Sequence, residues 1–257
     1  MTSAIDLNAD LGELTTAQGR DWEREILSYV SSANLACGGH AGDPKIMAEM
    51  CRLAKARGVA IGAHPAYPDR ANFGRVSKQL GIDILARDLT ESLMSQIVTL
   101  SEIACDADHP ITYIKPHGAL YNDTATQPAL AHLICDIVKA LDPDLAVMGF
   151  PGGNMQEAAA QTGLRFIGEA FIDRAYMPDG TLVPRGQDGA VLGDQDARLS
   201  QMKRLVFEQK VKPRHGEDIA LRAQSLCLHG DSAGALETAK AARNFLDHHG
   251  VKVVPAR

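Results

Sequence analysis

The stretch Ile5-Asp6-Leu7-Asn8-Ala9-Asp10-Leu11-Gly12-Glu13 alternates apolar and polar residues with a period of two. That is the pattern of a strand with two unlike faces. An edge strand with one solvated face would carry the same alternation. Here, however, apolar runs ending in polar residues and glycine or proline recur along the whole chain, which favours strands enclosed on both sides. A carboxylate enclosed in this way needs a partner, so acids on one side of a buried strand point to a site at its end.

Between these runs the sequence predicts helices. Asp43 followed by Pro44 is a capping carboxylate ahead of a proline at the first helical position, and Gly58 closes the helix that begins there. Further helices are expected over Asp21 to Val30, Ile82 to Cys105, from Pro128, over Asp196 to Gln209, and from Gly230-Asp231. A second apolar run leads into the stretch from Ser32 to Pro44, and strands are expected at Val59–Ala63, Ile111–Ile114, Leu145–Phe150, Arg165–Glu169, Ser225–His229 and Val251–Val254. Strict alternation of strand and helix implies parallel strands with right-handed crossovers, about seven or eight units in all. The expected fold is therefore an α/β, distorted (β/α) barrel, a single domain over residues 1–257, with an open doubly wound sheet as the runner-up. The barrel is preferred because a ring of loops would bring the scattered polar strand ends together. Ala170 to Gly193 is a long polar insertion, of the length that usually serves as a lid or binding loop.

A net charge of −6 and the lack of a basic stripe exclude a nucleic-acid surface. The five cysteines form no CxxC pair, and their odd number fits a reducing compartment. Met1-Thr2-Ser3-Ala4 lacks a basic stretch followed by an apolar one, and no run reaches membrane-spanning length. The expected location is cytoplasmic, with no membrane partner.

The residues at the strand ends are Asp6, Asn8 and Asp10, then Asn34 and His40, then His64, Lys115 with His117, Glu169 and His229. Carboxylates with histidines suit hydrolysis by activated water, through general acid–base catalysis or with a metal. No HExxH or close ligand pair appears, so a metal is left open. Lys115 is placed at the mouth of the barrel, where it can hold a developing oxyanion or a phosphate. Arg75, Arg174 and Arg185 lie on loops and can clamp a carboxylate or phosphate. No GxxxxGK[ST] or strand-borne GxGxxG is present, so a nucleotide would bind without those signatures. Cys37 is read as a packing residue rather than a nucleophile.

Several blocks together resemble the LamB/YcsF family: Asp6–Glu13, Asn34–Asp43, Gly62–Asp69 with Phe73-Gly74-Arg75, Lys115–Tyr121, Glu169–Arg174 and His229-Gly230-Asp231. The resemblance implies a distorted barrel similar to the glycoside hydrolase/deacetylase type. It also implies a place in a bacterial ATP-dependent 5-oxoprolinase, which opens 5-oxoproline to L-glutamate with two partner subunits, B and C. ATP is then a co-substrate of the complex. Asp6, His64, Lys115, His117 and Glu169 are expected to be catalytic, Asp6, as an acid on a buried strand, in a general-base or water-orienting role. Asn8, Asp10, Asn34, His40, Arg75, Arg174 and His229 are expected to bind substrate. A stand-alone metal-dependent deacetylase or sugar hydrolase, and a non-catalytic binding subunit, are the alternatives; self-association is left open.

Overall fold

The structure, a computed structural model, describes residues 3–230 and 234–256. Its first strand, β1 (Ala4–Leu11), is buried along nearly its whole length. After α1 (Ala17–Ile26) come β2 (Ser32–Ala36), α2 (Pro44–Arg57), β3 (Ala60–His64), α3 (Ala86–Asp106) and β4 (Tyr113–Ile114). Two helices in succession, α4 (Gly118–Thr126) and α5 (Pro128–Leu141), lead to β5 (Ala146–Gly149), α6 (Asn154–Thr162) and β6 (Arg165–Phe171). After the insertion, α7 (Gln195–Lys203) runs into a π-helical turn, Arg204–Glu208. A small hairpin of β7 (Lys210–Val211) and β8 (Ile219–Ala220) precedes β9 (Ser225–His229), α8 (Ala235–His248) and β10 (Lys252–Val253).

Strands β1, β2, β3, β4, β5, β6 and β9 pair in that order, all parallel, and β9 pairs back onto β1. The ring closes on seven strands. The β1–β9 pairing decides against an open sheet, in which these two would be separate edges. Residues Val251–Val254, expected as a barrel strand, instead contribute β10, which adds to the start of β1 outside the ring.

The strand alternation sorts the side chains. Leu7, Ala9 and Leu11 join the large apolar cluster with helix residues such as Leu89, Leu93 and Leu246. Asp6, Asn8 and Asp10 turn inward and make their contacts across the barrel. A barrel interior is ordinarily filled by branched apolar side chains. Here a small apolar cluster of Tyr113, Ala146, Met148 and Ile167 shares it with a polar network. Gly62 makes room for part of that filling, since a Cβ on it would stand 2.3 Å from the Tyr113 ring.

Helix α2 has the cap foreseen: Asp43 accepts from the Ile46 amide, and Gly58 ends it in the left-handed region. The first helix departs from expectation. It begins at Ala17, capped by Thr16, whose hydroxyl accepts from the Gly19 amide, and stops at Ile26 rather than Val30. It turns Glu23 inward and leaves Trp22 46% exposed. Helix α3 starts only at Ala86, because Leu80 and Ile84 are drawn into a short parallel bridge. Helix α4 was unforeseen, hidden behind Pro116 and Gly118. The expected helix start at Asp231 lies outside the described residues. No helix among the described residues is long and apolar enough to cross a membrane.

Candidate active site

The polar interior is stacked in levels along β1, with alternate inward residues about 6.6 Å apart. Deepest is Asp6. Its Oδ1 accepts from the hydroxyls of Ser31 and Ser32 at 2.6 and 2.8 Å, and its Oδ2 accepts from Ser225. Burial pushes its carboxyl above the usual range, with those hydroxyls pulling the other way. At the next level Asn8 donates to Glu169 Oε1 at 3.0 Å and Ser225 Oγ at 2.6 Å. Its own Oδ1 accepts from Asn34 at 2.7 Å. Asn34 also donates to Asp10 and accepts from the Tyr113 hydroxyl at 2.6 Å.

The top level is where the charges meet. Lys115 Nζ donates to Asp10 Oδ1 at 2.8 Å, contacts Glu169 Oε1 at 2.8 Å and reaches Cys227 Sγ at 3.1 Å. It is only 2% exposed. Burial works against its charge, but Asp10, Cys227 and Glu169 raise its pKa well above the ordinary lysine value, so the ammonium persists. Burial likewise opposes ionisation of Asp10, yet His64 and Lys115 hold it well below the carboxylate range. On the far side His229 is oriented by Asp173: Nδ1 lies 3.0 Å from both carboxylate oxygens, and the His229 amide donates to Oδ2 at 3.1 Å. Carboxylate oxygens only accept here, so Nδ1 carries the hydrogen and Nε2 is left as the basic nitrogen. That nitrogen lies 3.9 Å from Asp10 Oδ2.

Beside this level Glu13 joins His40, His64 and His117, all four buried. Glu13 stands past Gly12, whose φ of +77° breaks the strand's alternation and turns the carboxylate toward the histidines. Its Oε1 lies 2.8 Å from His40 Nε2, 3.3 Å from His117 Nδ1 and 3.9 Å from His64 Nε2. Glu23 of α1 accepts from the Glu13 and Leu14 amides at 2.8 and 3.2 Å and so fixes the loop from behind. The rings of His40 and His117 stack 3.5 Å apart and parallel within 1°. Burial drives His40 down to about 4 and His117 below its ordinary value. One ligand atom from each of the four residues falls within 4.8 Å of the others, so this is the group suited to a metal.

A cavity of about 420 Å³ opens over the strand ends, within the size range of small-molecule sites. Asp10, His64, Lys115, His117 and His229 line its floor, and Tyr121, Phe150 and Phe171 form an apolar wall. The insertion lies across it, strapped by the Arg174–Val191 and Tyr176–Leu182 bridges. It brings Arg174 and Arg185 to the rim with Arg75. Arg174 donates to the carbonyls of Ala190 and Val183. Burial, together with Arg185 and Arg75, lowers it to about 10, so an anion at this rim would be welcome.

Of the residues singled out in the sequence, Asp10, His64, Arg75, Lys115, His117, Arg174, Arg185 and His229 share the cavity. Asp6, Asn8, Asn34, His40 and Glu169 do not reach it. The first three and Glu169 form its underpinning, and His40 stands behind His117. Asp173, Glu13 and Cys227 were missed. Cys227 was readable in principle, since it shares the parity of Ser225 and His229 on β9. Cys37 is a packing thiol, pushed up to about 12 by burial.

Comparison with known proteins agrees with this architecture. The chain is 45% identical over 253 residues to the A subunit of a 5-oxoprolinase from Streptomyces avermitilis, covering 97% of this chain and 98% of that one. It is 44% identical over 251 residues to the corresponding 5-oxoprolinase protein of Mycobacterium avium strain 104, with 98% of each chain covered. The crystal structure of the lactam utilization protein from Thermus thermophilus superposes with a TM-score of 0.88 at 39% identity, over 99% of this chain and 100% of that one. Since a LamB/YcsF family profile also matches residues 5–257, the chain belongs to the LamB/YcsF family.

Proposed function

We propose that this chain is the ring-opening component of an ATP-dependent 5-oxoprolinase, converting 5-oxoproline to L-glutamate together with partner subunits B and C. The observation that carries the reading is the content of the cavity. A buried ammonium, a histidine backed by a carboxylate, and a rim of guanidinium groups surround one small, partly apolar space. The rim suits the carboxylate of 5-oxoproline, and the aromatic wall suits its ring methylenes. The names of the relatives and of the Thermus thermophilus structure support the same substrate class.

A lactam carbonyl is a poor electrophile. Transfer of the terminal phosphoryl group of ATP to its oxygen makes the carbon reactive. Water then adds to that carbon while His229 Nε2 takes its proton. The C–N bond breaks, and the nitrogen leaves as the amine of glutamate after taking a proton from His229. A second water releases phosphate from the resulting acyl phosphate. Lys115 lies where negative charge gathers on oxygen, a contact worth about 2.7–4 kcal/mol in comparable sites. The chain carries no nucleotide motif, so phosphoryl transfer is assigned to the assembled complex. The location that follows from this reading is the cytoplasm.

The four buried histidine and glutamate ligands favour a second reading, a metal-dependent hydrolase that acts alone. One experiment separates the two: glutamate release from 5-oxoproline by the purified chain, with and without subunits B and C and ATP. Activity that requires all of them supports the proposal. Ring opening by the isolated chain without ATP would overturn it.

A further inference from the structure

The hydrogen bonds around the buried histidines leave lone pairs facing one another. His64 Nδ1 lies 2.7 Å from the carbonyl oxygen of Lys115. His117 Nε2 lies 3.0 Å from the carbonyl oxygen of Phe73. A carbonyl can only accept, so each of these nitrogens carries its ring's hydrogen when the imidazole is neutral. The remaining nitrogens, His64 Nε2 and His117 Nδ1, then present lone pairs, and they face each other at 3.0 Å. Glu13 Oε1, a third acceptor, lies 3.3 Å from one and 3.9 Å from the other. With both rings neutral, three electron-pair donors thus converge in a buried space with no hydrogen between them, and Asp10 Oδ2 lies a further 3.4 Å from His64 Nε2. Such an arrangement is repulsive unless something positive sits within it.

A histidine that donates its outer N–H to a backbone carbonyl is the usual partner arrangement behind a metal-bound imidazole. The His40 ring, stacked on His117 and 2.8 Å from the same glutamate oxygen, completes a set of three nitrogens and one oxygen. The ligands come from four separate chain segments: the turn after β1, the loop after β2, the end of β3 and the loop after β4.

We propose that Glu13, His40, His64 and His117 form a binding site for a divalent transition-metal ion of the zinc class. Imidazole with one carboxylate selects such ions over magnesium or calcium, which prefer all-oxygen sets. His64 and His117 also line the cavity, so the ion would face bound substrate, where it can polarise a carbonyl oxygen or acidify a water. Nothing in this site depends on the substrate assigned above, because bound metal is itself the readout.

The test uses the full chain, stripped with a chelator, reloaded with Zn²⁺ or Co²⁺ and desalted. Elemental analysis should find about one equivalent per chain, as for a built structural or catalytic site. The Co²⁺ form should show visible absorption bands shaped by imidazole ligands. Glu13→Gln keeps the side-chain shape and should weaken Zn²⁺ binding at least about tenfold, and His64→Ala with His117→Ala should abolish it. Circular dichroism of the variants reports whether they fold. If Glu13→Gln proves unfolded, Co²⁺ spectra of His40→Gln supply the same comparison. Failure of the wild-type chain to retain either ion would overturn the site, as would retention undiminished in the folded variants. Loss of 5-oxoproline turnover with metal still bound would leave this site standing and count against the proposed reaction instead.

Discussion

Lys115 Nζ donates to Asp10 Oδ1 across 2.8 Å inside the barrel, with Glu169 Oε1 equally close on its other side. One cation therefore separates two buried carboxylates. At the cavity mouth a lysine could be removed without harm to the fold, which is what the sequence suggests. Its burial reverses that expectation. Lys115→Met should lower unfolding free energy by about 3–5 kcal/mol in urea titrations, the usual result of orphaning a buried charge. Adding Asp10→Asn should restore part of the loss, a coupling that a double-mutant cycle would reveal. Full native stability in the single variant would refute this account of the triad.

Asp173→Asn tests the assignment of His229 as the proton carrier. The amide can present a hydrogen to His229 Nδ1 and so favour the wrong tautomer. In the assembled complex kcat should fall by roughly 10²–10⁴-fold with KM little changed. A drop confined to KM would instead make Asp173 a binding residue.

Asp6→Asn should behave differently from a catalytic lesion. The carboxylate is held by three serine hydroxyls below the cavity. Turnover per folded molecule should fall far less than the roughly 10²–10⁴-fold expected on loss of a proton-transfer group. Melting temperature is where the change should register. A folded variant without turnover would restore the general-base role that strand parity suggests.

Glu23 supplies a pH test. Burial raises its carboxyl from 4.5 to about 7, against the pull of the Glu13 and Leu14 amides and with the charge of Glu13 adding to the rise. The folded state thus holds a proton that the unfolded state has lost between those values. Stability should fall as pH rises from about 4.5 to about 7 on this account, and the loss is complete above that window. Glu23→Gln keeps an acceptor for both amides without the titration. It should be more stable than wild type at pH 8, by on the order of 3 kcal/mol. The advantage should vanish near pH 4.5, as read from urea midpoints at each pH.

Much of this was legible in the chain. Apolar runs ending in His64, Lys115 and His229 mark strand termini, and termini of parallel strands in a barrel meet at one face. Parity also put Asp6, Asn8 and Asp10 on one side of β1. Parity assigns a face, however, and not a depth. Asp6 and Asp10 read alike, although two inward steps separate the serine-bound floor from the cavity. Glu13 lay in the opening stretch but beyond Gly12, where a positive φ ends the two-residue period and with it any inference about direction. Asp173 lies in the insertion, where no periodicity applies. The histidine–glutamate group escaped for a related reason: its ligands come from four separate segments, so no spacing within the sequence could announce them.

The division of β1 between an outward apolar face and an inward polar one has a practical side for anyone who would re-engineer this barrel. In most barrels the loops can be exchanged above an inert interior. Here the chemistry reaches down into the staves themselves, and a loop graft onto another scaffold would leave Asp10, Lys115 and Glu169 behind. Heat tolerance, conversely, can be sought at Leu7, Ala9 and Leu11, whose side chains pack outward. A library built on those odd positions explores durability alone. Among the even positions between them, Asp10 alone faces the cavity, and a substitution there alters the site itself.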